Sequence, residues 1–480
     1  MLQMRDAIVV GGGLAGITAA LALRDSGEWN VKLFEAGRAL GGRVSSVVDK
    51  ELGIKLDNCQ HACFRVYDHF LQLIKRCNAQ KSIKFQKSTL ISFTNPNSGI
   101  TGKLYDSRLK PPNQMLKSIL KFPHLTFKDK FQMRKVVKKL SKMTEDERIG
   151  LDNIPFDKWL LDNGQTQNSI DVFWGFFVLA ALNTSVSKAS TAQAAFLFRR
   201  GLFGKSDAFD VGVFSEELSF IFENQILNTL IKSGIEVFNG TKVDSLIWNG
   251  EKCTGINTST KDYHADTVIL ATPHNIARKM LKNGPDVTKG IYENLCKMKF
   301  NSLIGIHGLY SKKITDDDFH FTALINEPII QIVFNRNFEL DQSISPDVKQ
   351  WLSVPVSYAD EYIRYSKKEL EKEYIEVINK LWPEHKKYLT KVVIIKIPNA
   401  TFSTETGTNQ LRPDAEEVVP GLLLCGDYMN NGWPSVMEGA VTSGLMTAAN
   451  ILKINSWEKS QLWADWPEPP KRGDINWREV

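Results

Sequence analysis

The sequence predicts an α/β fold: a doubly wound parallel sheet built from separated stretches of chain and interleaved with an α+β domain. Three features indicate it. Residues 7–10 form an apolar run that leads into a glycine-rich turn and a small-residue helix. A second apolar run, at residues 31–34, ends in an acid, and similar runs return at 265–273 and 421–427. Strands of a parallel sheet are buried on both faces, so continuous apolar runs of this length favour them.

The glycine-rich turn has the spacing G-x-G-x-x-G, formed by Gly11, Gly13 and Gly16. Gly11 permits a tight turn, Gly13 lets the backbone approach a pyrophosphate, and Gly16 lets the helix pack closely on the strand. Leu14 and Ala15 open the helix, whose unpaired N–H groups attract phosphate. The turn therefore predicts a dinucleotide site.

The next stretch adds an acid and a basic loop to that site. Glu35 stands 19 residues after Gly16, where a dinucleotide fold places the carboxylate that bonds a ribose hydroxyl. Ala36 follows it, and a Gly-Gly-Arg segment then contains Gly42 and Arg43. Glycine lets the chain run against a ligand, and arginine carries a fixed charge suited to phosphate. The alternative is a polar surface loop with an ordinary arginine.

The bulk properties are those of a globular enzyme. A chain of 480 residues is too long for one simple core, so two domains are expected. No apolar run reaches the roughly 18 residues of a membrane span. The first predicted strand begins at residue 7 and leaves no room for a signal peptide, which predicts a cytoplasmic location. The six cysteines show no C-x-x-C spacing, so neither a metal site nor a disulfide framework is indicated.

Taken together, the G-x-G-x-x-G turn, the acid and the segment G-G-R-x-x-S resemble the flavin amine oxidase and carotenoid desaturase superfamily. The resemblance implies a discontinuous Rossmann-like FAD-binding domain, with FAD as the cofactor. It also implies that Val243 offers backbone atoms to adenine. Gly426 and Asp427 match a second FAD signature, in which the acid accepts from a sugar hydroxyl. Met437 and Ala440 then open a helix that points its N-terminus at the flavin.

Two further motifs resemble one subfamily, the hydroxysqualene dehydroxylases, also called squalene-associated FAD-dependent desaturases. Residues 56–61 are similar to the family's D-N-G-Q-H, with Cys59 in place of the usual glycine. Residues 432–444 match G-x-P-x-x-x-E-x-A-x-x-S-G. The activity implied is reductive removal of the hydroxyl of hydroxysqualene with reduced FAD as hydride donor. Departure of water calls for an acid, and His61 and Glu438 are both candidates.

Each of these assignments has a competing interpretation. His61 could be a satisfied core histidine, and Glu438 could be a first-turn helix acid favoured by the helix dipole. A carotenoid desaturase of the phytoene type would use the same flavin in the oxidative direction. An amine oxidase and a non-catalytic flavin-bound lipid carrier would also contain the dinucleotide motifs.

Residues 108–142 contain eleven Lys and Arg against one acid, a net charge of +10 in a chain whose total is +6. Aromatic and aliphatic residues are interleaved with these charges, a pattern that suits contact with anionic lipid. The expected partners are a hydrophobic isoprenoid substrate and the inner face of a membrane, contacted peripherally. A nucleic-acid patch and a solvated helical face are the rival interpretations. The tryptophan-rich tail is either irregular packing or a second membrane contact.

The motifs predict an interleaved domain order. The FAD-binding domain is expected from residues 1–75, 213–284 and 398–455. The substrate domain is expected from residues 76–212 and 285–397, and the tail is residues 456–480.

Overall fold

The computed structural model describes residues 4–316, 318–341, 345–454, 471–474 and 477–479. The strands are β1 (Arg5–Val10), β2 (Trp29–Glu35), β3 (Ser46–Asp49), β4 (Ile54–Asp57), β5 (Ala62–Phe64), β6 (Ile83–Phe85), β7 (Leu90–Thr94), β8 (Thr101–Tyr105), β9 (Val211–Phe214), β10 (Glu236–Asn239), β11 (Val243–Asn249), β12 (Lys252–Thr258), β13 (Asp262–His264), β14 (Thr267–Leu270), β15 (Phe300–Tyr310), β16 (Phe321–Leu324), β17 (Ile332–Asn335), β18 (Gln350–Ser357), β19 (Leu389–Phe402), β20 (Glu417–Val419), β21 (Leu422–Leu424) and β22 (Arg478–Glu479).

The α-helices are α1 (Leu14–Asp25), α2 (Asp68–Arg76), α3 (Leu116–Lys121), α4 (Phe127–Lys142), α5 (Glu145–Ile149), α6 (Phe156–Asp162), α7 (Gln167–Ser169), α8 (Gly175–Leu182), α9 (Thr191–Leu197), α10 (Leu218–Phe220), α11 (Leu227–Lys232), α12 (His274–Leu281), α13 (Lys289–Lys297), α14 (Arg336–Glu339), α15 (Lys367–Leu381) and α16 (Met437–Ile451). Three π-helical segments, Ile170–Trp174, Phe198–Leu202 and Ile221–Ile226, continue α7, α9 and α10.

The first sheet has six strands in the order β10-β2-β1-β14-β21-β20. All its neighbours are parallel except β20 and β21. Its strands come from residues 5–35, 236–270 and 417–424, which are three separated parts of the chain. Helix α1 lies against α16, where a Cβ at Gly444 would stand 2.5 Å from the Ala15 carbonyl oxygen. This close approach packs a helix from the first part of the sheet domain directly on a helix from its last part.

The second sheet has seven strands in the order β19-β15-β18-β17-β16-β7-β8. It is antiparallel except where β16 meets β7. The long helix α15 and the strands β15 and β18 share one apolar cluster, which covers one face of this sheet. A separate cluster joins β7, β8 and β16 to the helices between residues 116 and 202. The fold is therefore α/β with an interleaved α+β domain, as the sequence predicts.

The N-terminus of helix α10 is capped from another part of the chain. Residues 215–217 have the pattern of a serine cap, but helix α10 begins at Leu218 and Ser215 does not cap it. The carboxylate of Asp57 accepts the Leu218 N–H at 2.9 Å, and the Ser46 hydroxyl accepts the Ser219 N–H at 3.0 Å. The cap comes from the β3–β4 hairpin because tertiary contact brings its acceptors to the first N–H groups of α10, which have no partner within the helix.

Candidate active site

A cavity of about 860 Å³ lies between the two large sheets. One part is a slot along the carboxyl edge of the first sheet, and the other is an apolar limb that runs between the second sheet and helix α8. The slot is lined by Gly11, Gly13, Leu14, Ala15, Glu35, Ala36, Gly42, Arg43, Val243, Gly426, Asp427, Met437 and Ala440. The limb is lined by Ala62, Phe64, Ile91, Phe176, Phe177, Ala180, Ala181, Phe209, Leu303, Phe321, Ile332, Phe334, Pro355 and Ile397.

The three glycines of the first turn meet different surroundings. Gly11 has φ +115°, and a Cβ there would stand 2.3 Å from the Ala271 carbonyl oxygen. A Cβ at Gly16 would stand 2.0 Å from the Gly11 carbonyl oxygen, so Gly16 closes the helix onto the strand and does not line the slot. A Cβ at Gly13 would meet no atom within 4 Å. Gly13 therefore faces open space in the slot.

Glu35 is held at the slot by two backbone groups. Its Oε2 accepts the Gly12 N–H at 2.7 Å and its Oε1 accepts the Gly37 N–H at 2.6 Å. Each carboxylate oxygen has a second lone pair. Glu35 is thus oriented by the turns on both sides and can still accept hydroxyl groups of a ligand.

An ion pair closes the other end of the slot. Arg43 donates to Asp427 at 2.5 Å, and the Ser435 hydroxyl donates to the second oxygen of the same carboxylate. Burial opposes the charge of Asp427, but Arg43 and Ser435 outweigh it and lower the pKa of this carboxyl. Asp427 is therefore an anion, and Arg43 keeps donor groups for a phosphate.

The slot fits a dinucleotide on these observations. The N-terminus of α1 offers unpaired N–H groups, Gly13 leaves space for a close approach, and Glu35 supplies acceptors for a ribose. Val243 begins β11 and lines the slot. Met437 and Ala440 lie in the first turn of α16.

His61 lies on the wall of the cavity. Its Nδ1 stands 3.0 Å from the carbonyl oxygen of Cys59, which can only accept, so the neutral ring carries its proton on Nδ1 and presents Nε2 as an acceptor. Burial lowers the pKa of His61, and the nearby carboxylate of Asp57 opposes this only in part. Cys59 does not have a positive φ, so the turn there does not require glycine. Glycine is required instead on the neighbouring strand β15, where a Cβ at Gly305 would be 2.5 Å from the Asn58 carbonyl oxygen.

Glu438 is placed away from the cavity wall. Its side chain is 1% exposed, and its carboxylate accepts the N–H groups of His69 at 3.2 Å and Phe70 at 2.8 Å. The His69 Nδ1 lies 2.8 Å from the same carboxylate. Glu438 therefore caps the N-terminus of α2, and this position does not support contact with a substrate.

Some lining residues belong to none of the sequence motifs. Tyr67, Phe64 and Phe209 form a connected aromatic wall, with ring centroids 5.5 Å apart for the first pair and 4.6 Å for the second. Alternation in β5 brings Ala62 and Phe64 to the same face, a signal that sequence reasoning could have used. Tyr67 lies at the turn before α2 and has no such periodic signal.

The basic stretch forms surface helices. Helix α4 buries Met133, Val136 and Leu140, while Phe127 is 90% exposed and Phe131 is 66% exposed. Within the described residues, no helix has the length and apolar character needed to cross a membrane.

The sequence left two interpretations of the tryptophan-rich tail, packing on the protein or membrane contact, and the structure describes one of its tryptophans. Trp477 is 4% exposed and packs on Phe85, with ring centroids 5.8 Å apart, so it belongs to the core. The remaining tail tryptophans, Trp457, Trp463 and Trp466, lie outside the described residues.

The chain is similar in sequence and in fold to several known oxidoreductases. Hydroxysqualene dehydroxylase of Zymomonas mobilis is 25% identical over 453 residues, which cover 93% of this chain and 99% of that protein. The 15-cis-phytoene desaturase of Synechococcus elongatus is 24% identical over 481 residues, covering 94% of this chain and 96% of that protein. The solved structure of an oxidoreductase from Methanosarcina mazei has a TM-score of 0.71 at 16% identity, covering 93% of this chain and all of that one.

The sequence profile described as flavin containing amine oxidoreductase matches residues 14–452. This span includes helix α1 from Leu14 with Gly16, the acid at Glu35 and helix α16. The protein is therefore an FAD-dependent oxidoreductase and belongs to the flavin-containing amine oxidoreductase family.

Proposed function

We propose that this protein catalyses the reductive dehydroxylation of hydroxysqualene to squalene. The observation that carries the proposal is the continuity of the cavity, in which a dinucleotide slot opens directly into an apolar limb. A limb walled by aromatic and aliphatic side chains binds hydrocarbon by excluding water. The name of the Zymomonas mobilis relative supports an isoprenoid alcohol as the substrate.

In this mechanism the chain positions two partners and controls one proton. Bound reduced FAD supplies the hydride. The turn at Gly13, together with Glu35 and the Arg43–Asp427 pair, holds the dinucleotide along the sheet edge. The apolar limb aligns the substrate carbon and keeps water out. The substrate oxygen leaves as water, which requires a proton. His61 is the proposed donor because its ring lies on the cavity wall and its Nε2 is the nitrogen that the Cys59 carbonyl does not engage.

Desaturation of a phytoene-type polyene is the second candidate, and one observation favours it. Neutral His61 presents Nε2 as an acceptor, which suits removal of a proton from a hydrocarbon. The two functions predict opposite pH profiles. If protonated His61 is an acid, the rate falls as pH rises through the lowered pKa of this histidine, and if neutral His61 is a base, the rate rises over the same range.

The test uses the purified flavoprotein under anaerobic conditions. The enzyme with reduced flavin is mixed with hydroxysqualene in detergent, and flavin reoxidation and squalene are measured together. A parallel reaction contains oxidised enzyme, phytoene and a quinone. Squalene formed in proportion to the flavin oxidised supports dehydroxylation, whereas desaturated phytoene without squalene contradicts it. His61→Ala is expected to keep FAD and to slow turnover by about 10²–10⁴-fold.

We also propose that the exposed face of α4 contacts an anionic membrane at the cytoplasmic surface, from which the water-insoluble substrate enters. Phe127 and Phe131 stand one helical turn apart on this face. Arg134, Lys135 and Lys138 continue the same face and are exposed. An apolar end followed by cations fits the boundary between acyl chains and anionic headgroups.

A further inference from the structure

Tyr67 is a polar group on the cavity wall to which the proposed mechanism assigns no role. It is 7% exposed and lines the cavity. Its ring is fixed edge-on between Phe64 and Trp433, with centroid distances of 5.5 Å and 5.7 Å. Burial, with smaller contributions from Cys63 and Glu438, raises the pKa of Tyr67, so the phenol keeps its proton and remains a donor. Within the described part of the chain no group hydrogen-bonds to this hydroxyl.

The backbone of Tyr67 is held from the opposite end of the sequence. Tyr67 precedes α2 as its N-cap, and the following N–H groups of His69 and Phe70 donate to Glu438. Burial lowers the pKa of His69, but the nearby Glu438 carboxylate outweighs this and raises it, so the contact with Glu438 favours the protonated ring. Glu438 stands one residue after Met437, which lines the slot. The hydrogen bonds from His69 and Phe70 to Glu438 therefore link the position of Tyr67 to helix α16, which borders the flavin slot.

We propose that the Tyr67 hydroxyl donates a hydrogen bond to the hydroxyl oxygen of the substrate, and that Glu438 and His69 are positioning residues that hold Tyr67 there. The inference rests on the proposed function, since it requires an alcohol as substrate. It also assigns a role to Glu438, which lies in a sequence motif but does not line the cavity.

The chemistry of this contact gives a preference for alcohols over hydrocarbons. The surrounding wall is aromatic and aliphatic, so it binds either kind of molecule by burial. A hydrocarbon leaves the phenol O–H without a partner in a dry cavity, whereas an alcohol satisfies it. The hydroxyl of Tyr67 thus selects the oxygen-bearing substrate and fixes the carbon–oxygen bond relative to the slot.

The test measures binding, so it does not depend on turnover. The oxidised flavoprotein is titrated with hydroxysqualene and with squalene in the same detergent, and the perturbation of the flavin spectrum gives the two dissociation constants. We expect the wild type to prefer the alcohol, and Tyr67→Phe to reduce that preference by about 2- to 12-fold while keeping its FAD. Tyr365→Phe, at a surface tyrosine of the second domain, is the matched control and should retain the wild-type ratio.

The positioning residues are tested by a double-mutant cycle. Glu438→Gln should reduce the preference for the alcohol, and adding it to Tyr67→Phe should reduce the preference no further, because both changes act on one contact. His69→Gln is the second variant should Glu438→Gln fail to fold. An unchanged preference in Tyr67→Phe, or a wild type that binds both ligands equally, overturns the inference. Failure of the wild type to form squalene contradicts the proposed function instead, and the binding ratio still decides on Tyr67.

Discussion

Gly13 and Gly16 belong to one motif, but the protein uses them differently. Gly16 is required by the protein itself, since a Cβ there would stand 2.0 Å from the Gly11 carbonyl oxygen. A Cβ at Gly13 meets no protein atom within 4 Å, so the protein itself does not require glycine there, and we expect the requirement to come from the ligand. The two positions therefore separate loss of folding from loss of cofactor.

Gly13→Val is expected to fold and to purify without flavin, because the new side chain fills space that the pyrophosphate needs. The measurement is the flavin absorbance per protein, with a thermal melt to confirm folding. Gly290→Val is the control, since a Cβ at Gly290 also meets nothing within 4 Å and lies on the distant helix α13. Full FAD content in Gly13→Val would contradict the assigned slot.

His274 is a buried side chain whose protonation makes the stability of the fold depend on pH. It stacks on Phe300 with centroids 3.9 Å apart, and burial lowers its pKa to about 4, against partial opposition from Asp427. The unfolded ring titrates near 6.5, so between these values the unfolded state binds more protons than the folded state. The contribution of neutral His274 is complete above pH 6.5 and is lost as the pH falls towards 4.

His274→Phe is expected to remove part of the acid sensitivity while keeping the stack on Phe300. Between pH 7 and pH 4 the wild type should lose on the order of 3 kcal/mol more unfolding free energy than the variant. Denaturant titrations at several pH values measure the difference. Equal losses in both proteins would show that His274 is not the group responsible.

Helix α4 shows how one element serves two surroundings. Its buried face packs on the helices between residues 116 and 202, and its exposed face places aromatic rings before cations. Lys139 lies apart from this face, since its Nζ donates to Asn163 at 2.7 Å and lies 5.4 Å from the Trp159 ring centroid. The residues of the proposed membrane face are therefore Phe127, Phe131, Arg134, Lys135 and Lys138, which are all exposed.

Replacing Arg134, Lys135 and Lys138 by Glu should weaken binding to anionic liposomes on the order of 100-fold, since each cation contributes about 1 kcal/mol. Phe127→Ser with Phe131→Ser should weaken binding in high salt as well, because burial of rings is not screened. Liposome sedimentation measures both. The charge-matched control replaces Lys367, Lys368 and Lys372 of α15 by Glu, and it should leave liposome binding and FAD content unchanged. Liposome binding that neither α4 variant reduces would exclude this helix as the anchor.

At the scale of the whole molecule, the part of the fold visible in the sequence is the part coded locally. The glycine spacing, the acid at Glu35 and the apolar strands all lie within short windows, and they predicted the first sheet and its cofactor. The surroundings of Glu438 could not be predicted, because its partners on α2 are about 370 residues away along the chain. The cap of α10 by Asp57 has the same origin, since only the folded chain brings the two together.

The long strand β19 pairs with β15 over its whole length and reaches the cavity at its far end. Ile397 lines the apolar limb, while Ala400 and Thr401 border the flavin slot. The predicted domain boundary between residues 397 and 398 thus falls inside one continuous strand. Exchanging the two predicted domains as separate units would break this strand between the residues that line the limb and those that border the slot. Substitutions along β19 and its neighbours would change the limb, while the continuous strand keeps the limb and the slot aligned.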